Sequence, residues 1–246
     1  MIENEEDLAK VVTTKVSDMS EMFFEGNSSV YALNPPIGNW DVSNVTNMSY
    51  MFQYAFLFNQ DLSSWDVSSV SDMSEMFYQA TAFNQDIGNW DVSNVTDMRG
   101  MFQKATSFNQ DIGNWDVSNV IDMNSMFYAS FASFNQPIGN WDVSNVTNME
   151  SMFANTPAFN QPIGNWDVSS VTNMSFMFTG ADSFNQPIGD WDVSNVTNMF
   201  CMFLFNISFN QPIGNWDVSS VSDCAGFSAN PPLTEVNTPN FTNCTP

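Results

Sequence analysis

The sequence predicts a repeat solenoid of about eight coils, each built from one short strand and one helical turn. The chain has 246 residues, and all eight tryptophans fall in one series at intervals of 25 or 26 residues. Hydrophobic residues make up 43% of the chain, which argues against disorder. A unit of about 25 residues cannot bury its own apolar face, so the units must stack and share a core. The series is Trp40, Trp65, Trp90, Trp115, Trp141, Trp166, Trp191 and Trp216.

The first predicted element of each coil is a short strand at the tryptophan. Each Trp is followed by Asp-Val-Ser, as at Trp90 and Val92. Side chains two positions apart lie on the same face of a strand, so the indole and the valine should share one face. Stacking would bring the strands of successive coils together in one parallel sheet, about 4.7–4.9 Å apart.

The second predicted element is a helical turn on the other side of the coil. Val95, Met98, Met101 and Phe102 are spaced by three residues and by one. This spacing fits a 3₁₀ or short helical segment better than a strand. Phe108 is a further predicted core residue.

The ends of the array should be closed by caps. We expect an N-terminal helical cap at residues 1–15, a solenoid at 16–228 and a C-terminal cap at 229–246. A disordered linker is the alternative for the last segment. Cys224 and Cys244 are candidates for a disulfide over this tail, with buried free thiols as the alternative.

A column of aspartates is the candidate binding surface. Each Asp lies between an inward Trp and an inward Val, so it should point outward. Neighbours about 5 Å apart would repel by roughly 3 kcal/mol at an effective dielectric of about 20. Three effects could offset this repulsion: bound calcium ions, hydrogen bonds from the serine two residues on and from backbone N–H groups, or raised pKa values of some of the aspartates. The candidate residues are Asp41, Asp66, Asp91, Asp116, Asp142, Asp167, Asp192 and Asp217, with Ser93, Ser118, Ser144 and Ser169 beside them.

Composition excludes several functions. The chain has no histidine, so a Ser–His–Asp or Cys–His catalytic site is impossible. Four Lys and Arg against 27 Asp and Glu give a formal net charge of −23, which opposes binding to nucleic acid. No apolar run is long enough to insert into a membrane. We expect a protein that is not an enzyme, with calcium as the one cofactor to consider and no identifiable set of metal ligands.

The repeat resembles a known family. The pattern Ile-x-x-Trp-Asp-Val-Ser-x-Val-x-x-Met-x-x-Met-Phe, followed by Phe-Asn-Gln, is similar to that of BspA-type leucine-rich-repeat-like surface proteins. The resemblance covers about residues 16–228 and is closest to the branch with the Trp-Asp-Val-Ser repeat. It implies a right-handed leucine-rich-repeat-like superhelix, an extracellular or cell-surface location, and an adhesive or interaction role without catalytic residues.

These observations lead to one expected function and two alternatives. We expect an interaction or adhesion module that binds a protein or glycan through the Asp/Ser/Asn face. The alternatives are a structural protein that self-associates into a surface layer or filament, and a scaffold stabilised by divalent cations. The first residues lack the features of a signal peptide, so either the protein stays inside the cell or its leader is not in this chain.

Overall fold

The repeats stack, and each is joined to the next by a parallel β-bridge one residue long. The computed structural model describes residues 13–24, 34–130, 134–228 and 233–246. We name each repeat after its tryptophan, so that the Trp90 repeat begins at Ile87. The bridging residue lies seven positions after the tryptophan. The bridging residues are Asp18, Asn47, Asp72, Asp97, Asp122, Asn148, Asn173, Asn198 and Asp223.

The predicted strand at Trp-Asp-Val was wrong. In the Trp90 repeat the N–H of Trp90 donates to the carbonyl of Ile87, and the N–H of Val95 donates to the carbonyl of Val92. These are tight turns, and they place Trp90 and Val92 inside just as a strand would. The bridge forms further along the repeat, at Asp97, and no extended sheet is present in the described residues.

The predicted helical turn was also wrong. Met101 donates its N–H to the carbonyl of Met98, three residues back, as in a helical turn. The next residue, Phe102, instead donates to the carbonyl of Met126 in the following repeat, at 2.9 Å. Amides therefore alternate between bonds within the repeat and bonds to its neighbour. Within the described ranges the structure has one helix, the 3₁₀ helix Glu235–Asn237.

The alternating bonds require left-handed backbone at two positions of each repeat from Trp40 to Trp191. These positions lie 10 and 14 residues after the tryptophan. A residue other than glycine costs about 1 kcal/mol or more in this conformation. Glycine occupies the same positions at Gly100, Gly180 and Gly226. The other left-handed residues are Glu21, Tyr50, Tyr54, Glu75, Gln79, Lys104, Ser125, Ala129, Ser151, Asn155, Phe176, Cys201 and Phe205.

Aromatic and aliphatic columns form one continuous core. The prediction that Trp, Val, Met and Phe of the repeat are buried is confirmed. The ring of Phe102 stacks on Phe108 of its own repeat at 3.9 Å and on Phe127 of the next at 5.8 Å. The indole Nε1 of Trp115 donates to the carbonyl of Ile87 in the preceding repeat, at 3.1 Å. The core is therefore shared between neighbouring repeats.

A second polar column ties the repeats together beside the core. Asn109 donates its N–H to the side-chain oxygen of Asn84 in the preceding repeat at 2.9 Å, and Gln110 donates its Nε2 to the same oxygen. Asn84 and Asn109 are the asparagines of the Phe-Asn-Gln motif, and equivalent hydrogen bonds recur from repeat to repeat as a ladder. The amide side chains thus pair with backbone groups of the neighbouring repeat.

The C-terminal tail continues this ladder beyond the last repeat. Thr234 and Asn237 donate to Asn210, as Asn and Gln of a further repeat would. Cys224 and Cys244 form a disulfide. Of the predicted N-terminal helical cap at residues 1–15, only residues 13–15 lie within the described residues, and they form no helix.

Replacing Trp141 with Phe should destabilise the protein by about 2 kcal/mol, because the change removes a buried hydrogen bond and leaves a cavity. Trp141 is only 3% exposed, and its Nε1 donates to the carbonyl of Ile112 at 3.1 Å. Chemical denaturation measures the difference. Ser107→Ala, at an exposed position, is the control and should change stability by less than about 0.5 kcal/mol. Equal losses in the two variants would contradict the inter-repeat role of the indole.

Candidate functional site

All eight predicted aspartates are exposed, and they stand in successive repeats as one column, which we call the Asp column. In the Trp90 repeat, Oδ1 of Asp91 accepts the N–H of Ser93 at 3.1 Å and its hydroxyl at 2.6 Å. The same pair of bonds recurs at Ser118, Ser144 and Ser169. The structure therefore brings each candidate serine onto its own aspartate.

The local sequence explains this geometry. Asp is followed by Val and Ser in a tight turn, and the valine is pulled into the core. An Asp side chain at the start of such a turn can accept the N–H two residues on, which closes an Asx turn. The serine adds its hydroxyl to the same oxygen. One carboxylate oxygen of each Asp is thus held by its own repeat.

These contacts lower the pKa of six aspartate carboxyls of the column. The largest cause is the serine hydroxyl, followed by the serine N–H, and slight burial acts in the opposite direction. Where a neighbouring aspartate raises the pKa, as at Asp142, it is the smallest cause. The expected alternative of raised pKa values is therefore wrong for the six carboxyls concerned, which are Asp41, Asp91, Asp142, Asp167, Asp192 and Asp217.

The polar side chains beside the Asp column bond from repeat to repeat. Asn94 donates its Nδ2 to the carbonyl of Ser68 at 2.8 Å. Thr96 donates its hydroxyl to the carbonyl of Ser71 at 3.2 Å. These donors are therefore engaged within the array, whereas the carboxylates face outward and remain charged. The chemistry that this face offers to a partner is a line of fixed negative charges.

Sequence reasoning missed a column of aspartates and asparagines, formed by the bridging residues. Oδ1 of Asp97 accepts the N–H of Arg99 at 2.9 Å, and its Oδ2 lies 3.6 Å from the guanidinium. Burial raises the pKa of Asp97, opposed by the N–H and the charge of Arg99. The signal was the Asp or Asn seven residues after each tryptophan, which precedes a Met or, in the last repeat, Cys224. Across residues 13–24, 34–130, 134–228 and 233–246, no three acidic or cysteine side chains form a group that could hold a metal ion.

Sequence reasoning also missed a groove with a volume of about 550 Å³. It crosses four repeats, from Trp90 to Trp166, and no member of the Asp column lines it. Its lining comes from the two left-handed positions and the residues next to them. The residues that define it are Gln103, Lys104, Ser125, Tyr128, Asn155 and Phe176.

Replacing Ser93 and Ser144 with Ala should raise the pKa of Asp91 and Asp142 towards the usual value, because the largest stabilising contact of each carboxylate is lost. A carboxyl with a lowered pKa stabilises the fold above its unfolded pKa of about 3.9, and this contribution disappears as the pH falls through the folded pKa. The double variant should therefore lose less stability on acidification than the parent. NMR titration of the carboxyl carbons and chemical denaturation at several pH values measure both effects.

Groups with raised pKa values act with the opposite sign, but they are the same in both proteins. Burial raises the pKa of Asp97 and of Glu75, and neither carboxyl is changed in the variant. Their contributions cancel in the comparison. Ser107→Ala provides the control, and identical acid sensitivity of the double variant and this control would refute the role of the serines.

A comparison with protein families identifies the chain. One family model matches it twice, over residues 17–133 and 128–240. No curated protein matches it. The described part of the chain contains no helix long and apolar enough to cross a membrane. Because the two matches together span nearly the whole chain, this protein belongs to the family described as Mycoplasma protein of unknown function, DUF285.

Proposed function

We propose that this protein is a non-enzymatic interaction module that binds a basic protein surface through the Asp column. The observation that supports the proposal is the column itself: eight identical carboxylates, all exposed, one in each of eight successive repeats. Charge complementarity of this kind speeds association and selects the partner. A basic protein surface offers matching lysine and arginine side chains.

The column is organised before any partner arrives. Each Asp is held by a turn of its own repeat, as Asp91 is by Ser93. Side chains that are already ordered lose little conformational entropy on binding, and affinity rises accordingly. The serine contacts that lower the pKa of six of these carboxyls favour their charged form. Rigidity and charge therefore act together.

The net charge narrows the class of partner. At −23, the chain repels nucleic acid and polyanionic glycans over distances up to a Debye length. A neutral glycan gains little from a line of charges. A basic protein gains from every carboxylate it meets, which is why we favour it over a glycan for this face.

The uniformity of the column supports a role without catalysis. General acid and general base chemistry needs carboxyls in unlike environments, so that one is protonated while the other is not. Here the same turn and the same serine surround every aspartate. The absence of histidine from the sequence removes the commonest alternative base.

We also propose the finer assignment of fold and location: a right-handed, leucine-rich-repeat-like solenoid of the BspA type, at the cell surface or outside the cell. The stacked repeats are consistent with such a fold. The disulfide between Cys224 and Cys244 supports an oxidising compartment, because disulfides persist mainly there.

The structure gives less support to the alternatives. End-to-end assembly into a filament needs unpaired hydrogen-bonding groups at the last repeat. There, Thr234 and Asn237 of the tail already donate hydrogen bonds to the side-chain oxygen of Asn210. A scaffold stabilised by divalent cations needs clustered ligands, and the described residues contain no group of three acidic or cysteine side chains that could hold a metal ion. Aspartates of the column are instead held by the turns of their own repeats. Side-by-side association remains compatible with this geometry.

Replacing Asp142, Asp167 and Asp192 with Asn should weaken binding to an oligolysine peptide by roughly tenfold, because exposed charge pairs contribute about 0.2–1 kcal/mol each. Asparagine keeps the oxygen that accepts the serine N–H, so the turns should persist. Fluorescence anisotropy of a labelled peptide at low salt measures the dissociation constant.

The matched control replaces three exposed aspartates outside the column, Asp61, Asp86 and Asp111, with Asn. Both variants lose three negative charges. The control should bind the peptide nearly as well as the parent. If the two variants lose the same affinity, the peptide responds to net charge alone and the proposed role of the column is wrong.

A further inference from the structure

The repeats of this chain agree at some positions and differ at others. Trp and the Asp-Val-Ser that follows are identical in all eight Trp-containing repeats. The Trp and Val side chains are buried in the core, and the Asp and Ser side chains close a turn, as at Asp91 and Ser93. The position 13 residues after the tryptophan holds a variety of side chains. They are Gln53, Tyr78, Gln103, Tyr128, Ala154, Thr179, Leu204 and Ala229. Stacking therefore does not dictate the residue at this position.

The groove is built from these differing positions. Gln103 and Tyr128 lie 13 residues after their tryptophans, and Lys104 and Asn155 lie 14 residues after theirs. Four stacked repeats at about 4.8 Å each make it roughly 15 Å long. Its volume of about 550 Å³ falls within the usual range for small-ligand sites.

Several side chains of the groove are carried on backbone where glycine would be favoured. Lys104, Ser125, Asn155 and Phe176 all have a positive φ, between 53° and 58°. Gly180 and Gly100 take the same two positions in the array, so the fold is formed without a side chain there. The backbone gains nothing from these four side chains and is strained by them.

The backbone of the groove is not available to a peptide. The N–H of Lys104 donates to the carbonyl of Tyr128, and the N–H of Asn155 donates to the carbonyl of Thr179. Binding by strand addition needs free groups of this kind. The lining also contains no Leu, Ile, Val or Met, so it offers no pocket for an aliphatic anchor.

The side chains suit a sugar. Tyr128 and Phe176 are half-buried aromatic rings, which can pack against the C–H face of a pyranose. Gln103 and Asn155 supply amide donors and acceptors for hydroxyl groups. Lys104 and Glu150 have opposite charges, so the groove favours a neutral ligand over a charged one. The net charge of −23 also opposes the binding of polyanions.

We propose that this groove, across the Trp90 to Trp166 repeats, binds a short neutral oligosaccharide. The site is separate from the Asp column and is independent of the function proposed for it. Tyr128 and Phe176 hold the rings of the sugar, and Gln103 and Asn155 bind its hydroxyls.

The test uses the whole protein and four trisaccharides: maltotriose, cellotriose, chitotriose and mannotriose, each titrated by NMR. At least one should bind with millimolar or better affinity. Phe176→Gly should weaken that binding at least tenfold. Since glycine suits a positive φ, the variant should remain folded, which thermal unfolding checks, and Asn155→Gly repeats the test without removing an aromatic contact.

Phe205→Gly is the matched control. Phe205 also has a positive φ, of 59°, and is exposed outside the groove. It should leave binding unchanged, as should the triple Asp-to-Asn variant of the column. The proposal is overturned if no trisaccharide binds, if Phe205→Gly weakens binding as much as Phe176→Gly, or if oligopeptides bind the groove and sugars do not.

Discussion

The structure depends on hydrogen bonds between the backbones of adjacent repeats. Every second amide in the segment after the bridge donates to the next repeat, as Phe102 does to Met126 and Lys104 to Tyr128. Because the β-bridge is only one residue long, these bonds provide most of the pairing between repeats. They also fix the register, so that each residue lies beside its equivalent 25 or 26 positions later. All the columns of the molecule follow from that register.

The same register makes the core collective. Phe102 stacks on Phe127, and the indole of Trp115 donates to a carbonyl of the preceding repeat. An isolated repeat would lose these contacts and expose its aromatic rings. Stability in such an array is therefore shared between neighbours, and the ends need closing. The tail with Thr234, Asn237 and the disulfide closes one end.

The sequence was a good guide to which side chains lie inside and a poor guide to backbone conformation. Trp90 and Val92 are buried as predicted, but turns rather than a strand place them there. The spacing of Met98, Met101 and Phe102 suggested a helical turn. The spacing of buried residues does not reveal the left-handed residues between them, which break the helix. Non-glycine residues in that conformation carry no local sequence signal, so this backbone could not be predicted from propensity.

The candidate sites divide in the same way. The Asp column was predictable because each aspartate lies between two buried residues and recurs in every repeat. The contact that offsets the repulsion between these aspartates could not be predicted. It depends on the turn that brings the hydroxyl of Ser93 to Asp91. The groove could not be predicted from the sequence, because it combines residues from four repeats. Its one trace in the sequence is the variety at positions where stacking imposes no choice.

These two kinds of position imply two kinds of recognition. An identical column binds a partner by accumulating weak, equivalent contacts, so its strength should grow with the number of repeats engaged. A groove made of unlike side chains occurs once and selects its ligand by shape. Both can evolve independently, because the backbone bonds at Lys104 or Phe176 do not involve the side chain. At the groove, the stack thus separates the groups that hold the fold from the side chains that meet a ligand.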